Sequence, residues 1–417
     1  MKLIKPFSGL RPQVKYLNEV IAPPYDIVNR EQAIKIASGK PYNFLHISKP
    51  EIDLPVDVDP YSDIVYQTGA KNFQKLLKQK ILQQDPTNCY YLYRLTESNR
   101  HQQTGLVAAI SIEAYVNGEI KKHETTRLNK EADRVKNIEA LNAQASPVML
   151  TYQHDKEIDQ LLSSLCETKP IYNAMGYKQV THEFWVIDDP KWIQNISHQF
   201  NKISKLYIAD GHHRIAAAAT IAEKRNLKND DLANSFLGVL FPDNQLQILS
   251  YNRVFRDLNG LTPAQFLQAL EPVFDIQKSK NAIVPEHKAK FGLYINHCWY
   301  SLTVKPIVQN EIDPENKLEV GLLRDYIAKP IIDIQDPRTD TRVDFVGGHD
   351  CINELENRVN SGEMAAAVTL YPTSMKELMK VSDKGEILPP KSTWFEPKLA
   401  DGLISYLLGK NNLNPTT

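Results

Sequence analysis

Apolar and polar positions fall along the chain in blocks whose periods name the elements. The apolar runs at 90–95, 105–112, 147–152, 182–187, 206–209 and 365–370 are short and bounded by turn residues, which predicts strands. Residues 43–47 read the same way. Helical spacing marks 60–82, with Ile64, Ala70, Phe73, Leu76 and Leu77 among its apolar positions. It also marks 130–142, where Ala132, Val135, Ile138 and Leu141 form the stripe, and 155–165, 192–203, 214–224 and 317–328. Asn29 and Thr262-Pro263 open two further helices by capping. Strands 236–241 and 246–251 are expected to pair about Pro242-Asp243-Asn244, and 291–304 to fold as a hairpin about Asn296-His297. A strand at 343–348 runs into a glycine turn before a helix. Mixed strands and helices predict an α/β (α+β) fold. The texture changes after Val254, so a soft boundary is placed near residue 258, dividing the chain into 1–257 and 258–417.

Length and charge narrow the partners. A chain of 417 residues can hold two cores. Lys and Arg number 49 against 50 Asp and Glu, so no global field draws in nucleic acid, and that partner is not expected. The four cysteines form no CxxC pair and are far apart, which points to scattered thiols in a reducing compartment. The basic start Met1-Lys2-Leu3-Ile4-Lys5-Pro6 is not followed by the apolar stretch of a secretory signal. No apolar run approaches the ~20 residues of a membrane span. A cytoplasmic location without membrane contact is expected.

The sharpest chemistry lies at Asp210-Gly211-His212-His213-Arg214, between an apolar strand and an Ala-rich helix. Gly211 lets backbone N–H groups approach a ligand, and the helix start favours an anion. Arg214 can grip a phosphate with two hydrogen bonds. The histidines can donate or move protons, and Asp210 can hold magnesium or orient a histidine. The plainer alternative makes Asp210 a helix cap and the histidines polar loop residues. A site for a softer metal is disfavoured, because adjacent histidines diverge and no third ligand stands nearby in sequence.

A second polar segment runs from His123 to Arg134. Asn129 is a plausible cap. Arg127, Lys130 and Arg134 can offset a polyphosphate, with His123, Glu124 and Thr126 lining the same loop. Glu124, Glu131 or Asp133 can supply oxygen to magnesium. A solvated helix start is the alternative. The two segments are expected to share one cleft. Pro23-Pro24 stiffens the chain before Tyr25 and Asp26. The segment 388–398 carries Lys391-Ser392-Thr393, which lacks the glycine-rich lead of a P-loop, but a rigid basic stretch there can face an anion. GxSxG, HExxH and GxGxxG are all absent.

Taken together, several stretches carry a likeness. They are Phe7-Ser8-Gly9-Leu10-Arg11-Pro12, Ala22-Pro23-Pro24-Tyr25-Asp26, Asn43-Phe44-Leu45-His46 and Pro50-Glu51-Ile52-Asp53-Leu54-Pro55 in the first part of the chain. Beyond them come His123-Glu124-Thr125-Thr126, Lys130-Glu131-Ala132-Asp133-Arg134, Ala209-Asp210-Gly211-His212-His213-Arg214 and Pro390-Lys391-Ser392-Thr393. With these the chain resembles the domain-of-unknown-function 1015 family over almost its whole length. More distantly, Asp210 to Arg214 resembles the phosphate-binding motif of the ParB/sulfiredoxin superfamily. That resemblance implies a nucleotide-binding core followed by a C-terminal α/β domain, with ADP or ATP and magnesium as cofactors. The superfamily includes free-serine kinases, CTP-binding partition proteins and sulfiredoxins. Sulfiredoxin chemistry is disfavoured because the motif here lacks its cysteine. Partitioning is disfavoured by the neutral charge and the absence of a helix-turn-helix.

The expected activity is phosphotransfer to a small hydroxylated metabolite, free serine among the candidates. A regulatory nucleotide-binding module and a nucleotide or phosphoester hydrolase are the alternatives. Catalysis is assigned to Asp210, His212, His213 and Asp26, with Glu31, Glu51 and Asp53 as other candidates for the base. Nucleotide contacts are assigned to Gly211, His212, His213, Arg214, His123, Glu124, Thr126, Arg127, Lys130, Arg134 and Lys391, and magnesium to Glu124, Glu131 and Asp210.

Overall fold

A computed structural model describes residues 2–225, 232–311, 318–337, 339–349, 351–389 and 391–409. Pro390 of the 390–393 stretch and residue 317 of the expected 317–328 helix lie outside the described residues. The fold is mixed α/β. The chain divides into two compact units, 1–246 with 397–417, and 247–396. The expected boundary near 258 therefore falls at 246/247. The last stretch of chain belongs with the first unit rather than with the second.

The first unit is built on a nine-stranded sheet. Its strands are β1 (Ile4–Lys5), β2 (Tyr90–Thr96), β3 (Gln102–Ser111), β4 (Ile120–Lys121), β5 (Val148–Tyr152), β6 (Tyr172–Met175), β7 (Thr181–Ile187), β8 (Leu206–Asp210) and β9 (Ser235–Pro242). They lie in the order β4-β8-β5-β9-β3-β2-β7-β6, with β1 against β3. Most pairs are antiparallel; β8 runs parallel to β4, and β9 parallel to β5. The register between β8 and β5 slips between Ile208 and Asp210, where the strand is about to turn.

The helices of this unit that bear on the site and its cores are α1 (Arg30–Ala37), α2 (Leu45–Ser48), α3 (Asp63–Lys78), α4 (Leu128–Leu141), α5 (Lys156–Leu165), α6 (Pro190–Phe200) and α7 (His212–Arg225). Asn29 caps α1 in a full capping box with Gln32, as its place in the sequence predicts. The apolar faces of α5, α6 and α7 join the sheet in one core through Ile158, Leu162, Ile196, Phe200, Ile215 and Ala218. A second core gathers Val20, Phe44, Phe73, Leu76 and Leu141 around α2, α3 and α4.

Three local expectations are corrected. Residues 43–47 are helical from Leu45, because the buried Asn43 bonds the Ile21 carbonyl and receives the Leu45 N–H, which starts a turn. A short apolar run does not by itself separate strand from helix. Strand 236–241 exists, but its partners are β3 and β5 instead of 246–251. Helix α4 begins at Leu128 with Arg127 at the cap, so Asn129 lies inside it, and Ala132 is exposed while Val135, Ile138 and Leu141 are buried.

The second unit holds a six-stranded antiparallel sheet of β10 (Tyr251–Phe255), β11 (Phe274–Ser279), β12 (Lys290–Ile295), β13 (Cys298–Val304), β14 (Val343–Gly347) and β15 (Ala366–Leu370). Its order is β11-β13-β12-β15-β10-β14. The predicted hairpin is β12–β13, turning on Asn296 and His297 at positive φ. Thr262 caps the helix Pro263–Leu270 with Pro263 at its start. The expected 317–328 helix is Glu319–Leu323, widening into a π-type turn over Arg324–Ala328.

Candidate functional site

Asp210 ends β8, and Gly211 turns the chain into α7 at φ +102°, a conformation that favours glycine. A Cβ on Gly211 would stand 3.0 Å from Nε and 3.1 Å from Cζ of Arg214, so the bare glycine lets the guanidinium fold back across the turn. Helix α7 then begins with Gly211 O accepting from the N–H groups of Arg214 and Ile215 at 2.9 and 3.1 Å. The N–H groups at His212 and His213 belong to the first turn, which has no intrahelical acceptor to offer them. Gly211→Ala should cost about 1–3 kcal/mol from the strained φ alone and displace Arg214 as well. Thermal unfolding of the variant checks this, and an unchanged melting temperature would mean the turn tolerates a side chain.

Arg214 is committed within the protein. Its guanidinium donates to the Asp210 carboxylate and to the Pro147 carbonyl, and Asp26 Oδ2 stands 3.9 Å from Nη2. Lys398 closes the other side of Asp210 at 3.0 Å. Burial would raise the Asp210 carboxyl, but Lys398 and Arg214 outweigh it and hold the group well below the usual carboxylate range. Burial likewise works against the Arg214 cation, and Asp210 and Asp26 keep it charged.

The 123–134 segment meets this turn directly. His213 Nε2 accepts the Arg127 N–H at 3.0 Å, and the rings of His123 and His212 meet edge-on at 4.4 Å. Helices α4 and α7 pack together, and Thr220 of α7 donates to Glu131 at 3.0 Å. The two segments share one place in the fold. Arg134 lies 3.9 Å above the Tyr25 ring and grips Asp133 with two nitrogens, at 3.0 and 2.7 Å. Burial pushes the Tyr25 hydroxyl up to about 12 while the charges of Arg134 and Arg214 pull the other way. Asp26, with its side chain 42% exposed, is the carboxylate of the group most open to solvent.

Thr126 donates to Glu131 at 3.2 Å, and Lys130 reaches the Tyr61 hydroxyl at 2.7 Å. Arg127 is exposed. Lys391 belongs to the second unit, with its ammonium 5.4 Å from the Tyr251 ring. Glu31 sits in the first turn of α1, Glu51 pairs with Lys49, and Asp53 pairs with His46 beside a cleft of about 220 Å³. The three oxygens expected to hold magnesium do not form one shell. Glu131 takes two threonine hydroxyls and Asp210 takes Lys398 and Arg214, while Glu124 stands with His123 and His212.

Two residues of the site escaped the sequence reading. Lys398 lies in the basic 388–398 stretch, in which Lys391 is the residue assigned to the nucleotide. Asp401, buried and followed by Gly402, left no signal. Neither of its carboxylate oxygens makes a hydrogen bond of ordinary geometry among the described residues. Burial raises its pKa to about 6, opposed by Ser146, Arg214 and Ser48 and aided by Asp26.

A family model described as a protein of unknown function, DUF1015, matches residues 4–323. The chain belongs to the DUF1015 family. Lys398 and Asp401 lie beyond the span of the DUF1015 match. Among solved structures, this DUF1015 protein is similar to a conserved hypothetical protein from Pyrococcus furiosus, at 14% identity over 72% of this chain and 95% of that one, with TM-score 0.34. It is similar to a free serine kinase in complex with AMP, at 12% identity over 69% and 86% of the two chains, TM-score 0.34. It is also similar to SbnI with a C-terminal truncation from Staphylococcus aureus, at 10% identity over 71% and 85%, TM-score 0.39. Likenesses this distant carry no activity with them. No curated protein matches the chain. No described helix is long and apolar enough to cross a membrane.

Proposed function

We propose that this protein is a phosphotransferase that moves a phosphoryl group from ADP or ATP to the hydroxyl of a small metabolite. The observation that carries the reading is the meeting of the Gly211 turn, at the start of α7, with the loop that opens α4. Two helix starts facing one place make a polyphosphate site by backbone donors and dipoles. Arg134 and Arg214 add positive charge around Tyr25, at a cost in desolvation that a purely structural core does not require. His213 caps the α4 loop and is positioned to donate to a phosphate oxygen once that cap is exchanged for ligand. Arg214 acts mainly as a positioning group, holding Asp210 and the turn. Asp26 is the base in this reading: it is solvent-reachable beside Arg214 and can accept the hydroxyl proton.

Magnesium is assigned to the nucleotide, which brings it on its own phosphate oxygens and waters. Free serine is the first acceptor to try, on the resemblance of Asp210–Arg214 to the superfamily motif. The purified protein with ADP or ATP, magnesium and serine should yield phosphoserine, read by phosphorus NMR. Asp26→Asn should lower kcat by at least about a hundredfold and leave the melting temperature near that of the parent. Nucleotide binding without transfer to serine or other small alcohols would move the protein to a regulatory role. Phosphate release without an acceptor would mark a hydrolase.

A further inference from the structure

Three side chains beside the turn form a group that the phosphotransfer reading leaves unused. His123 and Glu124 enter from the loop before α4, and His212 from the first turn of α7. Each offers one ligand atom, and these atoms all lie within 4.8 Å of one another. Both imidazoles are buried, and Glu124 is half-buried. His212 is 6% exposed, and its Nε2 has no hydrogen-bond partner among the described residues. A buried polar nitrogen left in that state costs about 1–3 kcal/mol, so it calls for an occupant.

The chemistry of the three donors names the kind of occupant. Two imidazoles and a carboxylate suit a divalent first-row transition ion, and they suit magnesium poorly, because magnesium prefers a shell of oxygens. Two histidines and one glutamate with a position left for solvent is also a familiar catalytic zinc set. His123 bonds the backbone at Ile208, which orients its ring in the way an outer-sphere partner does. A tetrahedral shell with bonds of about 2.0–2.1 Å needs its ligand atoms about 3.3 Å apart, so modest side-chain rotation closes the site.

We propose that His123, Glu124 and His212 bind a divalent transition-metal ion such as zinc, next to the Gly211 turn. The inference goes beyond the phosphotransfer reading and does not rest on it. The ion would stiffen the junction between the α4 loop and the start of α7, and would place a Lewis acid beside whatever the turn binds.

The test uses the full chain, stripped with a chelator and titrated with cobalt(II) as a spectroscopic probe, then with zinc in competition. One equivalent of cobalt should give the visible bands of a four- or five-coordinate site. Zinc should bleach them, and a large excess of magnesium should not. His212→Ala should weaken cobalt binding at least about a hundredfold, and Glu124→Gln about ten- to a hundredfold. Circular dichroism of the metal-free variants controls for folding, and His123→Gln replaces any variant that does not fold. Absence of the bands in the parent, or bands that persist unchanged in folded variants of both histidines, would overturn the assignment. No nucleotide or acceptor enters the measurement, so its outcome is independent of any phosphoserine result.

Discussion

Arg214→Ala should destabilise the first unit by about 3–5 kcal/mol. The side chain is 9% exposed, and it alone joins Asp210, the Pro147 carbonyl and the neighbourhood of Asp26. Removing it leaves Asp210, 27% exposed, with Lys398 as its remaining cation and strips a donor from a buried carbonyl. Arg214→Lys keeps the charge but cannot reproduce the fork to two acceptors, so it should recover only part of the loss. Denaturant or thermal unfolding, followed by circular dichroism, measures both. The effects of Asp210→Ala and Arg214→Ala should be strongly non-additive, because each removes the same pair. If Arg214→Ala unfolds like the parent yet loses nucleotide affinity, the guanidinium serves the ligand and not the turn.

Asp401→Asn should make the protein more stable at neutral pH, and the gain should vanish in acid. The folded carboxyl is raised to about 6 by burial, with Arg214, Asp26, Ser146 and Ser48 around it, against an ordinary value of 3.8. Below pH 4 both folded and unfolded forms carry the proton, and the residue costs nothing. Between about pH 4 and 6 the folded state holds the proton more tightly than the unfolded state, so stability falls as pH rises. Above pH 6 the full penalty is present, about 3 kcal/mol at most. The amide carries no charge to desolvate. The variant should therefore melt roughly 5–10 °C above the parent at pH 8 and close to it at pH 4. Asp210, whose folded pKa is depressed, contributes in the opposite sense at lower pH, and comparing variant with parent cancels it. A difference that does not change with pH would show that folding leaves the Asp401 pKa where it is in the unfolded chain, and that burial does not raise it.

Part of this site could be read from local sequence. A strand, a glycine and a helix at 206–225 follow from apolar run, turn residue and Ala-rich period, and the structure places them there. The capping of α1 by Asn29 and the Asn296-His297 hairpin are equally local, since the bonds that define them span a few residues. Residues 43–47 show where local reading fails. Five residues of apolar character fit a strand or a turn of helix equally well, and the side-chain bond of Asn43 to Ile21 settles it from 22 positions away. The pairing of 236–241 with 246–251 expected from sequence fails for a related reason, since its partners are β3 and β5. A strand advertises its existence by composition, but its neighbour is chosen by the whole sheet.

Sequence alone determined the residue types of the site: a glycine able to take φ +102°, a pair of histidines, an arginine at the head of a helix, and a polar loop at 123–134. Tertiary structure decided what those groups face. Arg214 looks like a phosphate grip in sequence, yet its fork is filled by Asp210 and Pro147. His212 lacked a third ligand in sequence, yet folding brings His123 and Glu124 to it from nearly 90 positions away. Lys398 and Asp401 joined the cluster from the far end of the chain, because the described residues 397–409 pack back into the first unit. Backbone conformation is set by sterics within a few residues. Charge pairing, desolvation and metal geometry act through space, and only the packed chain specifies which groups come within their reach.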